Sequence, residues 1–285
     1  MRRRIRTFVL RAAATTMLGP VVLAAAVTAP LRWVDPPSTS YRLQDKYVDV
    51  QQNVSIDAVS PEFLAALVVH EDPRFSDRRL GVKWKALKER VDAYRREGVD
   101  VGGSTTIQTQ TVKNLFLWAD KTPVRKVILE PVLAEEFNLL LSKRRQLEIY
   151  MNQIELSGGI WGICAASWYY YRKAPSELTL AESAGLVGVM PMPKFFHSYL
   201  DDSGIFPKAT PEGSSNTPVG LLAWSRANVP PQVVRESAVE HLQQRGLILS
   251  TDPRRSGSDT CQAMPEGVED VLKYGPRPRS VDSRD

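Results

Sequence analysis

The run PEFLAALVV (residues 61–69) is too apolar for a surface helix, and no other stretch constrains the fold as much. Ser60 offers a capping hydroxyl, Pro61 suits a first helical turn, and Glu62 sits near the positive end of the helix. A helix apolar on every side must be enclosed, so further helices are expected to pack around it. It should stop near Pro73. His70-Glu71-Asp72 stands at that stop. A carboxylate leaving a core helix loses water, which raises its pKa and suits a general base. The plainer alternative is a solvent-facing acid paired with Arg74, Arg78 or Arg79.

Helical patterning continues through most of the chain to Met192. Segments are expected at Lys83–Arg96, from Ser104 or Thr105 to about Trp118, from a Thr122 cap to about Leu141, at Lys143–Ile154, at Gly162–Tyr171 and from a Thr179 cap to Val189. Another amphipathic helix fits Pro231–Arg245. There is no internal repeat, strand-rich segment or GxGxxG, so the fold class is mainly α. With 285 residues, 43% of them hydrophobic, one sizeable domain and an appendage are expected. Beyond Ser250 the chain is polar and rich in proline and charge, and poor order is expected there. Cys164 lies in an apolar stretch and Cys261 in the polar tail; they specify no disulfide framework and are read as unpaired.

The N-terminus bears on compartment. MRRRIR and Arg11 precede Ala12–Leu31, a run without charge and about as long as a bilayer-crossing helix. The arginines place the N-terminus in the cytoplasm and the remainder outside it. A cleaved leader is the alternative, with Ala24-Ala25-Ala26 as its cleavage site, but the run exceeds the usual leader core. Trp33–Ser40, with its Pro-Pro pair, reads as an extended exit from the membrane. A net charge of +5 does not choose among membrane surface, phosphate and nucleic acid. Neither HExxH nor a Cys/His spacing is present, so no protein-bound metal is expected.

A second group of residues suggests a polyanion site. Arg125-Lys126 fall in the first turn of an expected helix, where cations oppose the macrodipole unless an anion joins them. Glu130 lies one turn after Lys126 and is read either as a surface ion pair or as a carboxylate beside a phosphate site. Lys113 adds a cation, and Thr105, Thr106, Gln108 and Gln110 add neutral donors.

Five stretches, in order, carry a resemblance: HEDPRF (70–75), GSTTIQTQTVKNLFLW (103–118), VRKVILE (124–130), SKRRQLEIYMNQIEL (142–156) and GICAASWYYYRKAPSELTLAESAGLVGVMPMP (162–193). Together they resemble the family 51 peptidoglycan glycosyltransferases, and among these the monofunctional biosynthetic transglycosylases. The resemblance implies a mainly α, lysozyme-like glycosyltransferase domain over 41–248 with its motif core at 62–193. It would follow a basic cytoplasmic N-terminus (1–11) and a transmembrane anchor (12–31), with a disordered tail at 250–285. A small lobe would dip into the bilayer of the inner membrane, with the domain on the periplasmic side.

The implied reaction is polymerisation of lipid II into glycan strands, with inversion at the anomeric carbon and loss of undecaprenyl pyrophosphate. Glu71 would be the base and Glu130 the second carboxylate. Thr105, Thr106, Gln110, Lys113, Asn114, Arg125 and Lys126 would bind substrate. A divalent cation carried by the diphosphate is the one cofactor the resemblance allows. Its partners would be lipid II, the growing strand, the bilayer and other cell-wall synthesis proteins, and not nucleic acid. A degenerate relative that only binds lipid II or nascent glycan is the alternative. A lytic glycosidase using Glu71 as acid is disfavoured, because cleaving glycan needs no diphosphate clamp.

The chain departs from the family pattern at four places. Gly102-Gly103-Ser104-Thr105 imitates the family's Gly-Gly-Ser-Thr, but ungapped counting from Lys113-Asn114 assigns the substrate-facing hydroxyls to Thr105 and Thr106. Arg78 stands at the family's histidine and Ser157 at a frequent glycine. The family's RKxxE is RKxxxE here, so either the helix carries an extra residue or only one cation faces the site.

Overall fold

The computed structural model describes residues 24–98, 100, 102–119, 122, 125–190, 193, 231–249, 252–254 and 256–279, the side chains of 231–236 excepted. In chain order the helices are α1 (Ser40–Gln44), α2 (Pro61–Glu71), α3 (Trp84–Glu97), α4 (Ile107–Phe116), α5 (Glu130–Leu140), α6 (Lys143–Gln153), α7 (Gly162–Tyr171), α8 (Leu180–Val189), α9 (Pro231–Gln244) and α10 (Val268–Tyr274). The expected helices are present, most with ends within about two residues of the sequence reading. Their caps account for the boundaries. Ser142 and Thr179 accept hydrogen bonds from Arg145 and Glu182 N–H, and Gly98 ends α3 at φ 68°.

Two apolar clusters organise the molecule. In the larger, Phe63, Leu64, Ala65, Leu67 and Val68 of α2 are enclosed chiefly by α8 and α9, as an apolar helix requires. The smaller joins Val82, Leu87, Val112, Leu115, Ala134, Phe137 and Ile149. Helices α4 and α6 belong to both: Ile107 and Tyr150 face the larger cluster, Val112 and Ile149 the smaller. These two helices therefore fix the clusters relative to each other.

The sequence reading had no strands, yet a small sheet is present: β1 (Val50–Gln51), β2 (Glu155–Ser157) and β3 (Ile160–Trp161), in the order β1-β3-β2. β3 pairs parallel with β1 and antiparallel with β2. Ser157 is buried in β2 without positive φ, and the Gly158-Gly159 turn supplies the unusual backbone with φ 74° at Gly159. Serine in place of the family's glycine is thus accommodated.

The tail corrects two expectations. Cys164 and Cys261 are disulfide-bonded, across a sequence separation of 97. The described residues 256–279 are also packed rather than disordered. Val268 and Val271 enter the larger cluster, Val48 N–H donates to the Arg277 carbonyl (2.8 Å), and Arg279 pairs with Asp49. The domain therefore extends well past 248. A polar composition misled here because the segment is held by one covalent bond, a few apolar side chains, and backbone and ion-pair contacts that composition does not reveal.

Residues 12–23 of the expected anchor lie outside the described residues, and among the described residues no helix is long and apolar enough to cross a membrane. Residues 24–28 are helical, and Ala29–Arg32 form a 3₁₀ turn. Leu31 is buried in the smaller cluster, and its carbonyl accepts from Arg145 Nε (2.7 Å). The last residues of the apolar run therefore dock on the domain.

Candidate active site

Glu71 closes α2, where its side chain is mostly buried. Its Oε2 accepts from Gln110 Nε2 (2.7 Å), and its Oε1 lies 3.1 Å from His70 Nδ1. Gln110 is oriented in turn by Tyr150, whose hydroxyl donates to Gln110 Oε1 (3.1 Å). The expected rise in the Glu71 pKa is corrected. Burial pushes the carboxyl up, but the hydrogen bonds from His70 and Gln110 and the charge of His70 outweigh it, so the net shift is downward. Glu71 is held ionised, which leaves it able to accept a proton but makes it a weaker base than the expected raised pKa would have made it. His70→Ala should raise the Glu71 pKa and move the acid limb of any Glu71-dependent rate to higher pH. A pH–rate profile of the variant against wild type checks this.

Asp72, beside it, is fully buried and serves the architecture. Arg78 donates to both its oxygens (2.8 and 2.6 Å) and to Gln108 Oε1 (2.8 Å), while Lys83 lies 3.4 Å away. Asp72 Oδ2 also accepts from Ile107 N–H (3.3 Å) at the start of α4. Arginine at the family's histidine position thus ties the end of α2 to the helix that carries Gln110. Arg78 pairs with Asp72, and not with Glu71 as the plainer sequence reading allowed.

The two threonines of the GGSTT stretch part company. Thr105 is exposed, and its carbonyl accepts from Lys83 Nζ. Thr106, expected to face substrate, is instead fully buried. Its hydroxyl donates to the Gly81 carbonyl (2.7 Å) and accepts from Thr109 N–H, as the N-cap of α4. A threonine opening a helix suits a cap as well as a ligand, and the letters do not distinguish them. Thr106→Ala should cost about 1–2 kcal/mol of stability, with Thr106→Ser recovering most of it, in urea unfolding.

One turn past Gln110 on α4, Lys113 lies 5.2 Å from the Tyr41 ring centre, and Asn114 is half-buried next to it. The stretch Arg125–Leu129 is a π-helical turn that runs into α5. This resolves the RKxxxE spacing in favour of an extra residue. Pro131 has no N–H for the Val127 carbonyl, and its ring crowds that carbonyl, so an α-turn is disfavoured there and the helix widens. In a π-turn residues five apart stack, and Arg125 Nε lies 3.1 Å from Glu130 Oε1 with both groups largely buried. Arg125 also donates to the Trp118 carbonyl. The pair is close enough for charge attraction but not aligned for a hydrogen bond.

Around Glu130 the charges converge. Burial raises its pKa, and Arg125, Lys113, Lys126 and Arg90 pull it back in that order, leaving it above the ordinary value. Arg125 thus touches this carboxylate, while Lys113 and Lys126 act on it through space. Arg90 was missed because α3 reads as a charged surface helix, and Tyr150 because nothing in its segment marks it. Val127, Ile128 and Leu129 are turned outward and exposed.

Residues 39–209 match the family model described as Transglycosylase. A protein of Marinomonas sp. named "Biosynthetic peptidoglycan transglycosylase" is 39% identical over 163 residues, 57% of this chain and 71% of its own. Relatives of the same name are 36% identical in Chromobacterium violaceum (53% and 66% covered) and 35% identical in Rhodospirillum centenum (65% and 80% covered). With more than half its length matched, and with α4 carrying Gln110 against Glu71 and Lys113 toward Glu130, this chain belongs to the transglycosylase family.

Proposed function

We propose that this glycosyltransferase polymerises lipid II into peptidoglycan, with Glu71 as base and undecaprenyl pyrophosphate as leaving group. The observation that carries the reading is α4 itself, which presents Gln110 to Glu71 and, one turn on, Lys113 to the cluster around Glu130. In this mechanism Glu71 takes the proton from the acceptor's 4-hydroxyl as that oxygen attacks C1 of the donor, with inversion. The C1–O bond to the diphosphate breaks, and Lys113, Arg125 and Lys126 take up the charge that develops there. Glu130 holds Arg125 in place. Thr105 and Asn114 line the substrate path. The cations Arg125, Lys113, Lys126 and Arg90 outnumber the carboxylate of Glu130, which does not suit a resident divalent ion, so such an ion would arrive with the diphosphate.

We infer that the domain lies outside the cytoplasm, anchored by the apolar run that begins at Ala12. The Cys164–Cys261 disulfide supports that side of the membrane, since such bonds persist in oxidising compartments. The exposed Val127, Ile128, Leu129 and Val132, near the cation cluster, suit contact with the lipid. A degenerate lipid II binder was suggested by three departures from the family pattern. Arg78, Ser157 and the π-turn each fit their surroundings, which favours the enzyme. Full-length protein incubated with labelled lipid II should yield polymer. Binding without polymer would support the binder, and degradation of finished glycan a lytic enzyme.

A further inference from the structure

Two cations near Glu130 also meet a second carboxylate. Asp100 Oδ1 and Oδ2 accept from Arg90 Nε and Nη2 (2.5 Å each), and Lys126 Nζ lies 3.4 Å from Oδ2. Gly102 N–H donates to Oδ1 (3.2 Å), and the remaining Arg90 nitrogen, Nη1, donates to Ser104 Oγ (3.1 Å). Arg90 comes from α3, Lys126 from the π-turn, and Asp100 from the loop before the GGSTT stretch. Asp100 is 43% exposed, so the core does not depend on it.

A diphosphate and Asp100 offer the same thing to these nitrogens, anionic oxygen, and both cannot hold them at full strength. The two contacts differ in grip. Arg90 is held by two short bonds, while Lys126 is held by one long one and is released first. We propose that Asp100 is a displaceable counter-ion of the diphosphate site, and that Arg90 is a fourth cation of that site. Asp100 keeps the cluster neutralised before substrate arrives, then yields Lys126 to the incoming diphosphate while retaining Arg90 in position. This assignment rests on the diphosphate substrate proposed above.

Inorganic pyrophosphate is the probe, titrated calorimetrically into the full chain in detergent. Asp100→Asn and Asp100→Ser should both bind it roughly five-fold tighter at low salt, with the gain shrinking as salt rises. Arg90→Gln should bind it more weakly, and should remove most of the gain when combined with Asp100→Asn. If both Asp100 variants melt like wild type yet bind pyrophosphate no tighter, the counter-ion role is overturned. If Arg90→Gln binds as well as wild type, so is the fourth cation. Wild-type polymerisation of lipid II is measured in parallel. Its absence would remove the proposed reaction, while the pyrophosphate data would still decide the roles of Asp100 and Arg90.

Discussion

Glu71→Gln should lower the rate of lipid II polymerisation by about 10³-fold while leaving lipid II binding nearly intact. The variant keeps the shape of the side chain, so Gln110 and His70 retain a neighbour of the same size. What it loses is the charge and the ability to take a proton. A single-turnover assay at saturating substrate isolates that loss from any change in affinity. The split between rate and binding matters because Glu71 closes the core helix α2, and a merely structural residue there would alter stability and binding together. Polymerisation at the wild-type rate by Glu71→Gln would remove the base assignment outright.

Breaking the disulfide should have the largest effect on stability. A bond closing a loop of 97 residues is expected to contribute about 3–4 kcal/mol. The paired variant Cys164→Ala/Cys261→Ala should therefore melt roughly 10 °C lower than wild type. The loss should be felt first in the tail, since Cys261 fastens 256–279 to α7. Hydrogen exchange would detect it as faster exchange in that segment, with α2 and α6 protected until global unfolding. Equal melting temperatures for the oxidised and reduced protein would show that Val268, Val271 and the Arg279–Asp49 pair suffice.

These outcomes bear on what could be read from the letters. The helices were legible because several carry a start or stop signal, as Pro61, Ser142, Thr179 and Gly98 show, although the Ser60 hydroxyl donates to Glu62 and caps no backbone N–H. Glu71, Lys113, Arg125, Lys126 and Glu130 were legible as candidates through their order and spacing. Thr106 misled because capping and ligand binding ask for the same hydroxyl. The strands β1 and β3, of two residues each, are too short to show alternation. Arg90 and Asp100 escaped notice because an ion pair between a helix and a loop has no local signature. The lowered Glu71 pKa depends on the adjacent His70 and on Gln110, which is 39 residues away, and no argument about burial alone could supply its sign.

The widened turn at Arg125–Leu129 has a consequence for recognising such enzymes. A pattern written as RKxxE assumes α-helical spacing between cation and carboxylate, and this chain fails it by one letter. Yet the two side chains meet, because the helix changes its pitch where the letter is added and Pro131 makes the change favourable. In this chain the added residue is absorbed by the wider turn, so spacing in the letters does not by itself decide contact in the fold. A search that permits one extra residue there, provided a proline follows the glutamate, would retrieve sequences that a rigid template discards.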